Sequence, residues 1–346
     1  MNRQKTEDGY QDKSYKQWIL SKGASKLHLT EMENIRKGTG VNLRKLWGMN
    51  MGENFAYIRR KDMKSLRDIT EPPSKSVIVV GGGPSIAIHG QLETLKNSDY
   101  HGTLVSCDRM LLPLLRIGVV PDYVLSVDGS PIILKYFKSK LFTEYKDKIK
   151  VLVHIASHPS VIRYLYRQKV DLYWFLAHAV YVNEAEVEKS DAIVTIAMTS
   201  TKDHVKGVQT LPCAGNVGVG AWAFSWVILK KKTVALIGFD MGYPEGTPLC
   251  KTYYFSTFLD ETQRVFGKND LAALTAHIPY EKEYNPILKC YTFTDPVFRG
   301  YREMFSNLLD IVPKDVHTYN CTEGGALQNP NLKCQTFKQF LSENPC

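Results

Sequence analysis

The chain has 346 residues, 44% apolar and 23% charged, an ordinary globular composition that suits one large domain or two modest ones. No apolar run approaches the ~18 residues that cross a bilayer, so no transmembrane segment is expected. The net charge is +9, and residues 1–75 hold most of the excess, with sixteen Lys/Arg against nine Asp/Glu.

That basic stretch admits two readings, a solvated helical extension or a surface for an anionic partner. It contains no zinc finger, no RNP-like strand and no sustained basic helix, so no nucleic-acid partner is expected. Met1–Lys16 are polar and mixed in charge, without a secretory pattern. The seven cysteines are scattered and lack a C-x-x-C pair, which predicts reduced thiols in a cytoplasmic protein. Asn320-Cys-Thr322 is a formal glycosylation sequon that is expected to be chance.

Residues 1–27 read as poorly ordered and 29–68 as helical, with Leu43, Leu46 and Trp47 at helix spacing. Glu71-Pro-Pro-Ser74 breaks the chain and sets a boundary near residue 75. Val77–Val80 then read as a strand buried on both faces. Gly81, Gly82 and Gly83 end it, Pro84 and Ser85 follow, and Ile86–Leu95 has helical length. Bare glycine backbone before a helix N-terminus can hold a phosphate, and it can equally be a tight turn. It is neither a Walker loop nor a complete dinucleotide fingerprint.

Strands are predicted at 103–107, 122–127, 150–154, 171–175, 233–237 and 316–319. Helices are predicted at 110–117, 132–138, 159–166, 221–229, 260–276, 298–309 and 335–341. Residues 192–209 read as loop-rich. Asn216 is a good helix N-cap, and Lys230–Lys232 suit a helix C-terminus. Strands alternating with helices predict an α/β, Rossmann-like, doubly wound and mostly parallel sheet, with an N-terminal helical extension. The core spans 76–330, with a Tyr-rich insertion at about 242–286 and a closing helix in 331–346. Tyr243, Tyr253 and Tyr254 of that insertion suit either a lid or plain packing.

In such sheets ligands bind at the carboxyl ends of the strands. Five predicted strand ends carry chemistry there: Gly81–Gly83, Asp108, Asp128, Asp240 and Thr322-Glu323-Gly324-Gly325. Glycines suit phosphates, and carboxylates suit a divalent metal, a ribose or acid–base work. Each Asp alone is equally a cap or turn former. His154 and His158 lie where a general base would, or serve as structural hydrogen-bonding residues. Cys107 reads as a small buried residue.

Gly82-Gly-Pro-Ser85, Asp108-Arg109, Pro121-Asp-Tyr-Val, Ser126-Val-Asp128, Gly215-Asn-Val-Gly218, Ile237-Gly-Phe-Asp240 and Thr322-Glu-Gly-Gly325 occur in this order. Together, over about residues 40–341, they resemble the family that joins 6-hydroxymethylpterin diphosphokinase MptE-like domains to motility accessory factor (Maf) flagellin glycosyltransferases. The resemblance implies a nucleotide-dependent transferase acting on an acceptor hydroxyl of a small molecule or protein. One branch transfers a nonulosonic sugar from its CMP ester, and this chain leans to it. The other transfers a diphosphate from ATP to a reduced pterin, with magnesium. A non-catalytic nucleotide-binding protein is the further alternative. On this reading Gly81, Gly82, Gly83, Pro84 and Ser85 hold donor phosphates. Asp108, Asn216, Gly218, Thr322, Gly324 and Gly325 complete the nucleotide site. Asp128, Asp240 and Glu323 are catalytic, with Asp128 and Asp240 the candidate magnesium ligands.

Overall fold

The computed structural model describes residues 41–70, 72–178, 208–247 and 281–344. The expectations for residues 1–27, most of 192–209, the 260–276 helix, Tyr253 and Tyr254 lie outside them. In chain order the elements are α1 (Val41–Ile58), β1 (Lys64–Ser65), β2 (Ser76–Val80), α2 (Ser85–Ile88), α3 (Gln91–Lys96), β3 (Thr103–Cys107) and α4 (Asp108–Arg116). Then come β4 (Tyr123–Ser126), α5 (Leu134–Phe137), α6 (Lys140–Tyr145), β5 (Lys150–His154), α7 (Pro159–Arg167), β6 (Asp171–His178) and β7 (Gln209–Pro212). After these follow α8 (Val217–Val227), β8 (Thr233–Ile237), β9 (Tyr243–Pro244), β10 (Glu281–Asn285) and β11 (Cys290–Thr294). The last are α9 (Pro296–Leu309), β12 (His317–Asn320), β13 (Leu332–Cys334) and α10 (Phe337–Glu343).

Ten strands form one parallel sheet in the order β1-β6-β5-β4-β3-β2-β8-β12-β13, with β7 also paired to β6. The chain steps from β2 outward to β6, then returns to lay β8 on the other side of β2. The Val77–Val80 run is fully buried because helices cover both faces of this central strand. On one face α8 and α9 bury Val219, Trp222, Phe224, Phe305 and Leu308 against Val79, Val105 and Leu236. The opposite face packs Val80, Leu104 and Ile237 under Leu95, Leu114 and Phe340, and Val151 and Trp174 under Ile58, Phe137 and Ile162.

Several elements differ from expectation. The helix predicted at 86–95 is two short helices, because Gly90 between them takes φ +58°. The Asn216 cap is as expected: α8 begins at Val217, so Gly218 and Gly220 lie inside it, and a Cβ on Gly220 would meet Cys213 Sγ at 2.7 Å. Of the three lysines after α8, Lys231 is buried, and its Nζ donates to the carbonyls of Pro72 and Ser74 at 2.5 Å each. Its side chain fastens the Pro-Pro linker to the core, while its backbone N–H donates to Ser225 O in the last turn of α8 at 3.0 Å. The β9, β10 and β11 strands make a small antiparallel sheet that the Tyr-rich reading did not contain. Asn320 and Thr322 are fully buried, which closes the sequon to a glycan. Cys107 is buried as expected, and burial raises its thiol pKa. Among the described residues no helix is long and apolar enough to cross a membrane.

Candidate functional site

The reversal of strand order between β2 and β8 is a topological switch point, where open α/β sheets bind ligands. The loops that leave these two strands are tied together. Gly81 N–H donates to Ile237 O at 2.8 Å, and Gly83 N–H to Gly238 O at 2.9 Å. A Cβ on Gly81 would stand 2.6 Å from Gly238 O, so the bare glycine is what permits the approach. Two of the three glycine amides are therefore committed to the fold. Gly82 is exposed, and its amide has no partner among the described residues.

Asp240 lies under this turn and is 3% exposed. Ser85 donates to both of its oxygens, N–H to Oδ1 at 3.0 Å and Oγ to Oδ2 at 2.7 Å. A Cβ on Gly83 would come within 1.8 Å of Asp240 Oδ2. Burial pushes the Asp240 carboxyl up to about 6, against the lowering effect of the Ser85 hydrogen bonds. The Thr322–Gly325 corner closes the other side. Thr322 Oγ1 accepts the Phe239 N–H at 3.1 Å, and Ala326 N–H donates to Asp240 O at 2.7 Å. Gly325 has φ +87°, and a Cβ there would meet Asp240 O at 2.2 Å. Gly324 lies beside His89, whose Nε2 is 3.8 Å from the place of its Cβ. Glu323 turns away, its Oε1 accepting the Phe337 N–H at 3.0 Å at the start of α10.

Asp108 and Asp128 form the second group. Asp108 is buried, with its oxygens taken by Ser126 Oγ at 2.7 Å and by the Arg109 N–H at 2.7 Å. Burial pushes it up to about 6, and the charge of nearby Asp128 adds to the rise. Asp128 is exposed. One oxygen accepts the Ser130 N–H at 2.8 Å, and the other has no partner among the described residues. His154 ends β5 with its ring hydrogen-bonded to the Val127 backbone and Nε2 buried without a partner. Burial lowers its pKa to about 4, so it is neutral at physiological pH. His158 is the N-cap of α7, its Nδ1 accepting the Ser160 N–H at 3.2 Å.

The first turn of α8 borders the same rim. Asn216 Oδ1 caps it by accepting the Gly218 N–H at 2.7 Å. The Phe239 ring fits between the bare Cα atoms of Gly218 and Gly81, each of whose Cβ positions lies 3.0 Å from it. This ring links the α8 N-terminus to the glycine turn.

The predicted residues thus fall into two groups. Gly81–Ser85, Asp240, Thr322 and Gly325 meet directly, with Gly218 joined to them through Phe239. Asp108 and Asp128 neighbour each other one strand further on. No cluster of three or more His, Cys, Asp or Glu able to hold a metal ion occurs among the described residues.

Sequence reasoning passed over the α1 contribution. Asn50 Nδ2 donates to the carbonyls of Gly129 and Ala156 at 2.9 and 3.0 Å. Asn54 Nδ2 donates to those of Ile155 and Ser157 at 2.9 and 2.7 Å. Trp47 covers Gly129, whose Cβ would meet Trp47 Cδ1 at 2.7 Å. Within the basic extension, α1 therefore forms the wall beside Asp128. Its signal was two asparagines four residues apart on one helix face, where better helix formers are normal.

A family model described as "6-hydroxymethylpterin diphosphokinase MptE-like" matches residues 49–246. No curated protein sequence matches. Among solved structures, the fold is similar to that of a Maf glycosyltransferase from Magnetospirillum magneticum AMB-1, with a TM-score of 0.54 and 16% identity. That match covers 85% of this chain and 39% of the other. A hypothetical protein from Thermus thermophilus aligns at a TM-score of 0.17, 13% identity and coverage of 46% and 37%, too weak to bear on the fold.

Proposed function

The chain belongs to the 6-hydroxymethylpterin diphosphokinase MptE-like family, and from that membership we propose that it is a nucleotide-dependent transferase, moving a group from a phosphorylated nucleotide to an acceptor hydroxyl. The observation that carries this reading is the set of turns gathered at the switch between β2 and β8, with the α8 N-terminus beside them. The Asn216 cap takes the Gly218 amide, and the amide of half-buried Val217 in that first turn has no intrahelical acceptor. With the Gly82 amide it supplies donors for the donor's phosphates. Gly81, Gly83, Pro84 and Ser85 then shape the turn, and Asp240, Thr322, Gly324 and Gly325 hold it from behind. Asp108 sets the β3 loop, and Glu323 anchors α10.

Asp128 is the carboxylate left to meet the acceptor. Its unengaged oxygen can accept the hydrogen of the attacking hydroxyl and so aim that oxygen at the electrophile. Most of the rate comes from such positioning and from neutralising phosphate charge. A magnesium ion carried by a nucleotide needs only one or two carboxylates besides phosphate oxygens. Asp128 fits that part better than Asp240, whose oxygens both accept from Ser85.

Glycosyl transfer from a nucleotide sugar, such as a CMP-nonulosonate, is the first reading, supported by the Maf glycosyltransferase likeness. Diphosphoryl transfer from ATP to a hydroxymethylpterin is the second, favoured by the family description. A thermal-shift panel of ATP, CMP, GDP and UDP with and without magnesium separates them. Stabilisation by CMP alone supports sugar transfer, and stabilisation by ATP with magnesium supports the second reading. Mass spectrometry of the incubated donors then tests turnover: binding without consumption leaves a nucleotide-binding protein. No shift with any nucleotide overturns the proposal.

A further inference from the structure

We infer that Arg109 is the side chain that grips the donor's phosphate, an inference that rests on the nucleotide-binding reading above. Arg109 stands at the carboxyl end of β3, in the first turn of α4, and is exposed. Its guanidinium makes no hydrogen bond or ion pair among the described residues. The carboxylate next to it is not its partner, because the Asp108 oxygens receive Ser126 Oγ and the Arg109 backbone N–H. The arginine stem instead runs along Gly82. A Cβ on Gly82 would sit 3.3 Å from Arg109 Cδ, 3.9 Å from Cγ and 4.0 Å from Nε. Gly82 is the one glycine of the turn whose amide the β8 loop does not use. An uncommitted amide and an uncommitted guanidinium therefore flank one spot on the switch-point rim.

The position is costly for the local fold. A cation in the first turn of a helix opposes the helix dipole. The Coulombic pull of buried Asp108 offsets part of this, and no ion pair among the described residues offsets the rest. A phosphate would, because the guanidinium fork donates two parallel, charge-assisted hydrogen bonds to such an oxyanion. The absence of a Cβ on Gly82 keeps the stem close to the turn, so the fork and the amide can reach the same phosphate.

The test is titration calorimetry on the full chain at low salt, with CMP and cytidine, and with ATP and adenosine. The quantity read is the ratio of nucleotide to nucleoside affinity, which isolates the phosphate. For Arg109→Gln this ratio should fall about tenfold to a hundredfold, as expected for loss of a charged hydrogen-bond pair. Arg109→Lys should recover part of it. Arg116→Gln, at the exposed far end of α4, makes the same change in net charge and should leave the ratio unchanged. Arg109→Gln should melt at or slightly above the wild-type temperature, since it removes a cation from the first turn of α4 and no contact that folding needs. An unchanged ratio in Arg109→Gln, or an equal fall in Arg116→Gln, overturns the inference while the nucleotide reading stands. A wild-type chain that binds neither nucleotide overturns both.

Discussion

Replacing Asp240 by Asn should stabilise the protein at pH 7.5 and destabilise it near pH 4. Burial pushes this carboxyl from 3.8 up to about 6 even though Ser85 donates to both oxygens. The folded state therefore holds the Asp240 proton more tightly than the unfolded chain does. The associated stability is fully present below about pH 4 and is lost as pH rises through 6. The rise of about two units corresponds to ~3 kcal/mol of charge-burial penalty at pH 7.5. Asn keeps the shape and drops the charge. One of its atoms must donate where a carboxylate oxygen accepted, and Ser85 Oγ can rotate to receive it, at a cost of about 1 kcal/mol. The net gain at pH 7.5 is then ~2 kcal/mol, or roughly 4 °C in a chain of this size. At pH 4 only the ~1 kcal/mol loss remains. The assay is thermal unfolding of both proteins across this range. Asp108 adds a penalty of the same sign, while His154, lowered to about 4, adds one of opposite sign that appears on acidification. Both act equally in wild type and variant, so the difference in melting temperature isolates Asp240. A variant less stable by the same margin at both ends of the range would refute the claim that burial penalises this carboxylate.

Three further outcomes follow from the same geometry. Gly83→Ala places a methyl 1.8 Å from Asp240 Oδ2 and 2.6 Å from Gly238 O, and should cost about 2–3 kcal/mol in urea unfolding. A neutral result would mean that the two loops part easily. Asn54→Ala leaves the Ile155 and Ser157 carbonyls without their side-chain donor and should cost ~2–4 kcal/mol. An unchanged unfolding midpoint would show that α1 contributes little to the rim. Asp128→Asn, at an exposed position, should abolish transfer while moving the melting temperature by no more than about 1 °C. Full turnover in a donor-consumption assay would remove Asp128 from the chemistry.

The parallel core was legible because buried parallel strands must be apolar on both faces. Val77–Val80 and Thr233–Ile237 are such runs, and each ends where glycine appears. The hairpin of β10 and β11 was hidden by its setting. Lys282 and Tyr284 oppose Phe293 and Tyr291, an alternation of period two that straddles the end of the segment read as a tyrosine-rich insertion at about 242–286. Around the site the difficulty is of another kind. A glycine, an aspartate or a glutamate at a strand end has the same letter whether its chemistry is spent on the fold or kept for a ligand. The partner that spends it is distant along the chain: Ser85 and Asp240 are 155 residues apart, and Gln91 Nε2 reaches the Cys321 carbonyl across 230. No local pattern reveals those pairings. Once they are known, the fold itself sorts the candidates. Gly81, Gly83, Ser85, Asp240 and Thr322 are occupied with one another, and Glu323 with α10. Among the described residues, the exposed groups of this rim with unspent hydrogen-bonding capacity include the Gly82 amide, one oxygen of Asp128 and the Arg109 guanidinium, beside the half-buried Val217 amide at the start of α8. Since a buried carboxylate such as Asp240 raises the free energy of the fold at neutral pH, its retention needs a benefit elsewhere. Rigid placement of those three exposed groups around the switch point is a benefit that a transferase, which works by positioning, would require.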